Sequence, residues 1–112
     1  MKKEEFDYNV FYEKCISRGY FEQITSRWAV LILAKLGEGE FRFRELYRAI
    51  QGISERMLSK NLKSLEQLKL VYRSEAKDDS NKVTYGLSES GKRLSQSLMA
   101  FIEQLYTELD NM

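Results

Sequence analysis

Apolar and polar positions alternate with a helical period over much of this chain. Residues 8–25 fit one or two short amphipathic helices, broken or kinked near Gly19, since apolar residues recur there every three or four positions. Residues 28–36 (WAVLILAKL) are apolar nearly all round, which is typical of a buried central helix, and Gly37 is a helix C-terminal signal. Residues 41–43 are expected to form a strand stub or an extended lead-in, and residues 44–50 a short third helix.

The remainder of the chain predicts a longer helix, a hairpin and a final helix. Ser54 stands where an N-cap belongs, and core-facing leucines then recur at positions 58, 62, 65 and 68. Residues 70–75 and 82–87 alternate apolar and polar around a polar KDDSN tip, which predicts a β-hairpin. Ser88 caps the last helix, whose apolar series is Leu94, Leu98, Phe101, Leu105 and Leu109.

This order of elements is that of a winged helix-turn-helix, so the predicted fold class is mainly α with a small β-hairpin wing. Residues 51–53 (QGI) form the tight turn before a recognition helix over 54–67, and residues 71–87 form the wing. In such a fold the helix after the turn enters the major groove and the hairpin reaches flanking DNA. The length and the lack of a linker or repeat predict one domain over residues 1–112.

Positive charge is concentrated in the middle of the chain, although the net charge is only +1. Residues 40–73 contain eight Lys or Arg against four Asp or Glu, whereas residues 88–112 contain two against four. Such a local positive field favours a polyanionic partner such as double-stranded DNA over a membrane. The candidate DNA-binding residues are Ser54, Arg56, Ser59, Lys60, Lys63, Arg42, Lys77 and Lys82.

Most of these candidate residues also have an interpretation that does not involve DNA. Arg56, Lys60 and Lys63 follow i, i+4, i+7 spacing opposite the leucines, and a charged stripe of this kind is often a solvated helix face. Arg42 and Arg44 fit a solvated surface or an ion pair with Glu45 as well as a phosphate contact. At the hairpin tip, residues 78 and 79 are aspartates that would repel phosphates, while Lys77 and Lys82 would attract them.

Several functional classes are not expected from this composition. There is no histidine for general base work and no Gly-rich phosphate loop, so an enzyme is not expected. One cysteine excludes an intrachain disulfide and, without histidine, the usual zinc sets, so we expect neither a metal nor another cofactor. No apolar run of membrane length and no signal peptide are present, so a cytoplasmic location is expected.

The chain resembles the HxlR-type bacterial transcription regulators, relatives of the MarR group. The resemblance lies in Cys15 with Trp28 thirteen residues on, and in "RWAVLILAKLGEGEFRFREL" (27–46), "GISERMLSKNLKSLEQLKLVYR" (52–73) and "VTYGLSESGKRL" (83–94). It implies a homodimeric repressor or activator that binds a palindromic operator, with helices at both termini forming the dimer. The residues expected at that interface are Phe6, Phe11, Leu98, Phe101 and Leu105.

Cys15 has two interpretations. Lys14 and Arg18 are close in sequence and could favour a reactive thiolate, whereas free cysteine is also among the most buried residue types. Some members of the resembled family sense oxidants or electrophiles through a cysteine at the matching position, so a response to thiol-reactive or small-molecule signals is one expectation. Inert packing is the other.

A second function class is a winged-helix module that binds a protein or a ligand and has no DNA affinity of its own. The acidic hairpin tip favours this alternative, and the basic middle segment favours a DNA-binding regulator. The salt dependence of binding to duplex DNA separates the two, because phosphate contacts release counterions.

Overall fold

The computed structural model describes residues 8–78 and 82–112. Within them the order of elements is the expected one, and the predicted winged helix-turn-helix fold is confirmed. The helices and strands are α1 (Ile16–Ile24), α2 (Arg27–Leu36), α3 (Phe43–Ala49), α4 (Glu55–Gln67), β1 (Val71–Glu75), β2 (Val83–Leu87) and α5 (Glu89–Asp110).

The core lies between α2, α3, α4 and the start of the hairpin. Its fully buried large side chains are Ile32, Leu33, Leu46, Leu58, Leu62 and Leu65. All four leucines predicted to face the core contact it: Leu58, Leu62 and Leu65 are buried, and Leu68, the C-cap of α4, packs against the core and is partly buried. Helix α2 is also less enclosed than its composition suggested, since Leu31 is 41% exposed.

The N-terminal region differs from its prediction. Helix α1 continues through Gly19 without a break, and the segment before Cys15 forms turns instead of a second regular helix. A glycine inside a helix costs only about 1 kcal/mol relative to alanine, which flanking contacts can offset. No residue of α1 is fully buried, and its apolar residues Ile16, Tyr20 and Phe21 face outward.

A short extended segment links α2 to the helix-turn-helix. Phe41 forms an antiparallel bridge with Tyr85 of β2, in agreement with the strand stub expected there. Phe43, also placed in that stub, is instead the first residue of α3. The helix begins there because the Arg42 backbone N–H donates to Glu45 Oε1 at 2.8 Å.

The turn between α3 and α4 has the local chemistry that its sequence indicated. Gly52 adopts a φ of +93°, which a residue with a side chain rarely tolerates. Ser54 is the N-cap of α4, and its Oγ accepts a 3.0 Å hydrogen bond from the Met57 backbone N–H. The hairpin then pairs antiparallel from Val71 opposite Leu87 to Glu75 opposite Val83.

The first half of α5 is anchored to the rest of the fold. Ser88 Oγ accepts from the Gly91 backbone N–H at 3.1 Å, as expected for the helix cap. A Cβ at Gly91 would collide with the Leu70 carbonyl oxygen, so only glycine allows this approach. Ser95 is buried and its Oγ donates to Leu33 O of α2 at 2.7 Å. Residues 103–112 are all exposed, so the second half of the helix extends beyond the core.

Candidate nucleic-acid interface

Helix α4 presents a polar, cationic face to solvent. Arg56, Lys60 and Lys63 follow one another along this face, and Ser59 lies on the same side of the helix. The buried leucines occupy the opposite side. None of the three cations forms an ion pair with a residue that the structure describes. Their charges are therefore available to a ligand.

The start of α4 is fixed by two contacts. Ser54 is exposed, and its side chain caps the helix. This cap stabilises the N-terminus from which the polar face begins. Arg44 Nη1 of α3 lies 2.6 Å from Glu55 Oε1 in the first turn of α4. Arg44 therefore pairs with Glu55, whereas Glu45, the partner considered from sequence, is occupied by the Arg42 backbone.

A basic hollow lies beside this pair, between α3 and the hairpin. Arg42, Arg44 and Arg48 line it together with Phe43, Glu45 and Val83, and its volume is about 540 Å³. Arg48 was not singled out from the sequence, although its i, i+4 spacing from Arg44 places both on one helix face. The hollow is a second concentration of positive charge next to α4.

The hairpin carries exposed cations at its tip. Lys77 and Lys82 are both exposed, and the Ala76 backbone N–H donates to Lys82 O at 2.7 Å. Asp78 is exposed as well, while Asp79, the other acidic residue of the tip, lies outside the described residues. Arg73 on β1 pairs with Glu75, so its charge is partly satisfied within the hairpin.

Cys15 occupies a distinct environment at the N-cap of α1. It is 8% exposed and lies outside the core cluster formed by the other helices. The Asn9 backbone N–H donates to Cys15 Sγ at 3.2 Å, and Ser17 Oγ lies 3.0 Å from the sulfur. Burial raises the pKa of the Cys15 thiol, but hydrogen bonds from the Ser17 side chain and from backbone N–H groups outweigh it and lower the pKa below its ordinary value. The backbone N–H of Arg18 is among the groups that lower the pKa of the Cys15 thiol.

The residues expected at a dimer interface differ in exposure. Phe11 is 87% exposed and Phe101 is 72% exposed, and Leu105 is exposed beside Phe101 on α5. Leu98 is half-buried and packs against the core of its own chain. Phe6 lies outside the described residues. The exposed members form apolar surface of a kind that often marks a site of association.

Residues 8–78 and 82–112 contain no group of histidine, cysteine, aspartate and glutamate side chains that could hold a metal ion. No helix within the same ranges is long and apolar enough to cross a membrane.

Known proteins resemble the chain over most of its length. The family model for the HxlR-like helix-turn-helix matches residues 23–111. An uncharacterized HTH-type transcriptional regulator, YtfH of Escherichia coli, is 39% identical over 101 residues, which cover 90% of this chain and 80% of that protein. The structure of a putative transcriptional regulator, ytfH from Salmonella typhimurium, superposes with a TM-score of 0.82 at 36% identity and covers 92% of each chain.

A third relative is known in a defined redox form. The reduced form of the transcriptional regulator YodB from Bacillus subtilis superposes with a TM-score of 0.68 at 32% identity, covering 87% of this chain and 91% of that one. The matched relatives are transcriptional regulators and not enzymes. The chain belongs to the HxlR-like helix-turn-helix family and is a DNA-binding transcriptional regulator of that type.

Proposed function

We propose that this regulator is a homodimer that recognises a palindromic operator by inserting α4 into the major groove. The observation that carries this proposal is the cationic stripe of Arg56, Lys60 and Lys63, which has no ion-pair partner among the described residues. Arginine can make bidentate contacts to guanine, whereas the lysines suit phosphates. Ser54 and Ser59 are short, so the helix can approach the groove closely.

Phosphate contacts on either side of α4 would set the orientation of the domain. Arg42 and Arg48 line the basic hollow at the start of the helix-turn-helix, and Lys77 and Lys82 lie at the end of the hairpin. Contacts of this kind position a protein on DNA without reading its sequence. The hairpin would therefore act as a wing on flanking DNA.

The apolar residues near both termini support a dimer built on one winged-helix domain per subunit. Phe11 and the Phe101–Leu105 side of α5 are exposed, and burying them against a second copy would remove apolar surface from water. A twofold dimer presents its two α4 helices to half-sites about 34–36 Å apart, one helical turn of DNA. This symmetry is the reason for expecting a palindrome.

A thiol response at Cys15 is a second part of the proposal. The lowered thiol pKa favours reaction, and the residue is covered partly by the turn segment from which the Asn9 N–H donates. With one cysteine in the chain, oxidation leads to a disulfide between subunits, a mixed disulfide with a small thiol, or a higher acid. An adduct at this position would disturb α1 and, through it, the spacing of the two recognition helices.

The deciding experiment is selection of bound sequences from random duplex DNA by the purified protein. A palindromic consensus with half-sites one turn apart is expected, and the variant Lys60→Ala/Lys63→Ala should lose affinity without losing its fold. Recovery of no consensus, with binding that is weak and insensitive to salt, would favour the alternative of a winged-helix module without DNA affinity of its own.

A further inference from the structure

A cleft lies between the hairpin, the end of α2 and the middle of α5. Its volume is about 770 Å³, which lies in the range of small-molecule sites. Tyr72 and Gly86 of the hairpin line one side, and Met99, Ala100 and Glu103 of α5 line the other. The cleft is separate from the cationic face of α4, because none of its lining residues belongs to that helix.

The charges that line the cleft are mostly negative. Glu38, Glu40 and Glu103 contribute carboxylates, and Lys92 is the cation among the lining residues. Glu38 is compensated by Lys35 at 3.0 Å, and Lys92 lies 3.4 Å from Glu89. Neither Glu40 nor Glu103 has an ion-pair partner among the described residues.

Glu40 is held in place by neutral donors. Its Oε2 accepts from Tyr72 Oη at 2.8 Å and from Thr84 Oγ1 at 3.5 Å. The Tyr72 ring occupies the space beside Gly86, where a Cβ would collide with the ring. A fixed carboxylate beside an aromatic ring suits a cation, since the ring quadrupole and the carboxylate both attract positive charge.

We propose that this cleft binds a small organic cation with an apolar body. The positive group would lie between the Glu40 and Glu103 carboxylates beside Tyr72, and the apolar part would contact Met99 and Ala100. Inorganic cations and anions do not match the site, because much of its wall is apolar and its unpaired charges are negative.

The position of the cleft suggests that a bound cation affects DNA binding, an inference that rests on the proposed function. Tyr72 belongs to the hairpin and Glu103 to α5, so a bound cation would connect the proposed wing to the proposed dimerisation helix. Occupancy is then expected to change operator affinity, since the ligand fixes the hairpin relative to the dimer axis.

The test is calorimetric titration of the DNA-free protein with benzyltrimethylammonium, with benzoate and benzyl alcohol as the anionic and neutral comparisons. The cation should bind once per chain and the other two should bind far more weakly. Glu40→Gln keeps an acceptor for Tyr72 Oη but removes the charge, and it should weaken binding about fivefold, as expected for one unit charge near the ligand in water. Glu103→Gln should act similarly, and Ala100→Phe should fill the cleft and abolish binding.

A matched control is Glu108→Gln, which removes a carboxylate from the same helix outside the cleft. It should leave the affinity for the cation unchanged. The site is refuted if no cation binds, if benzoate binds as tightly, or if Glu40→Gln and Glu103→Gln variants with wild-type circular dichroism bind unchanged. Because these titrations contain no DNA, their failure does not bear on operator recognition. Unchanged operator affinity at a saturating concentration of the cation would refute the coupling to DNA.

Discussion

Arg44 Nη1 lies 2.6 Å from Glu55 Oε1, and this pair joins the first turns of the two helices of the helix-turn-helix. Glu55 is also favoured at its position by the dipole of α4. The pair therefore holds an acidic side chain at the end of the helix that we expect to approach DNA. An acidic group there opposes phosphate binding while it fixes the neighbouring arginine.

The variant Glu55→Gln is expected to bind DNA more tightly. It removes one negative charge near the phosphates and releases Arg44, so affinity at low salt should rise about fivefold. The free energy of unfolding should fall by no more than about 1 kcal/mol, because both side chains are exposed. Fluorescence anisotropy and urea unfolding measure the two effects. Weaker DNA binding by Glu55→Gln would mean instead that the Arg44–Glu55 pair positions α4 for binding. The variant Glu108→Gln controls for the change in net charge.

Substitutions in the cationic stripe should separate phosphate contacts from base reading. Lys60→Ala and Lys63→Ala should each flatten the slope of log affinity against log salt by about 0.9 for each phosphate that the lysine neutralises in the wild type. Arg56→Ala should relax preference at one base pair, at a cost of about 1–3 kcal/mol. Arg93→Ala, an exposed arginine on α5, is the matched control. If all three variants fold and bind like the wild type, α4 is not the recognition helix.

The proposed homodimer can be tested by introducing a charge on the exposed apolar side of α5. Phe101→Glu should shift the protein towards monomer at micromolar concentration in light scattering, because a carboxylate would be buried at the interface. Thr107→Glu lies on a different face of the same helix and should leave the mass unchanged. A wild-type protein that is monomeric under these conditions would remove the basis for a palindromic site.

The pKa of Cys15 predicts the pH dependence of its alkylation. Since that pKa is lowered, thiolate reactivity should persist at pH values below those of an unstructured cysteine. Ionisation of this thiol also stabilises the fold at high pH, and the contribution is lost as the pH falls through the folded-state pKa. Ser17→Ala removes the side-chain hydrogen bond and should move the alkylation profile to higher pH. A thiol that stays unreactive in the folded protein would identify Cys15 as a packing residue.

Two small residues of α5 should matter for stability. Ser95→Ala removes the buried hydrogen bond to Leu33 O and should cost about 1 kcal/mol. Gly91→Ala places a Cβ against Leu70 O and should cost about 1–3 kcal/mol by overpacking. Ser97→Ala, exposed on the same helix, should change stability by less than about 0.5 kcal/mol. Urea unfolding at fixed protein concentration distinguishes them, and equal effects at positions 95 and 97 would contradict the anchoring role of Ser95.

The helices were predictable where a local pattern and a packed partner agreed. Leu58, Leu62 and Leu65 share one side of α4, and Ser54 caps that helix, so sequence spacing alone located both its start and its buried side. Helix α1 is not broken at Gly19, because one glycine costs a helix interior only about 1 kcal/mol relative to alanine and does not by itself end the helix. The nearly uniform apolar sequence of α2 also predicted a more completely buried helix than the structure shows, since Leu31 is exposed.

The contacts that depend on the turn and on chain folding were not predictable. Arg44 and Glu55 are eleven residues apart, and only the geometry of the turn at Gly52 brings them together. Glu40 and Tyr72 meet because the segment before α3 lies beside the hairpin. The burial of Ser95 follows from the close approach of α5 to α2, which no local pattern indicates.

The continuity of α5 limits how the length of this chain can change. One uninterrupted helix contains both the anchoring Ser95 and the exposed Phe101 and Leu105. Inserting a single residue between positions 95 and 101 would rotate everything beyond it by about 100° and turn the apolar side away from a partner. Seven inserted residues would return it to within about 20° of its original direction. A seven-residue insertion is therefore expected to preserve the direction of the apolar side, whereas a single-residue insertion is not.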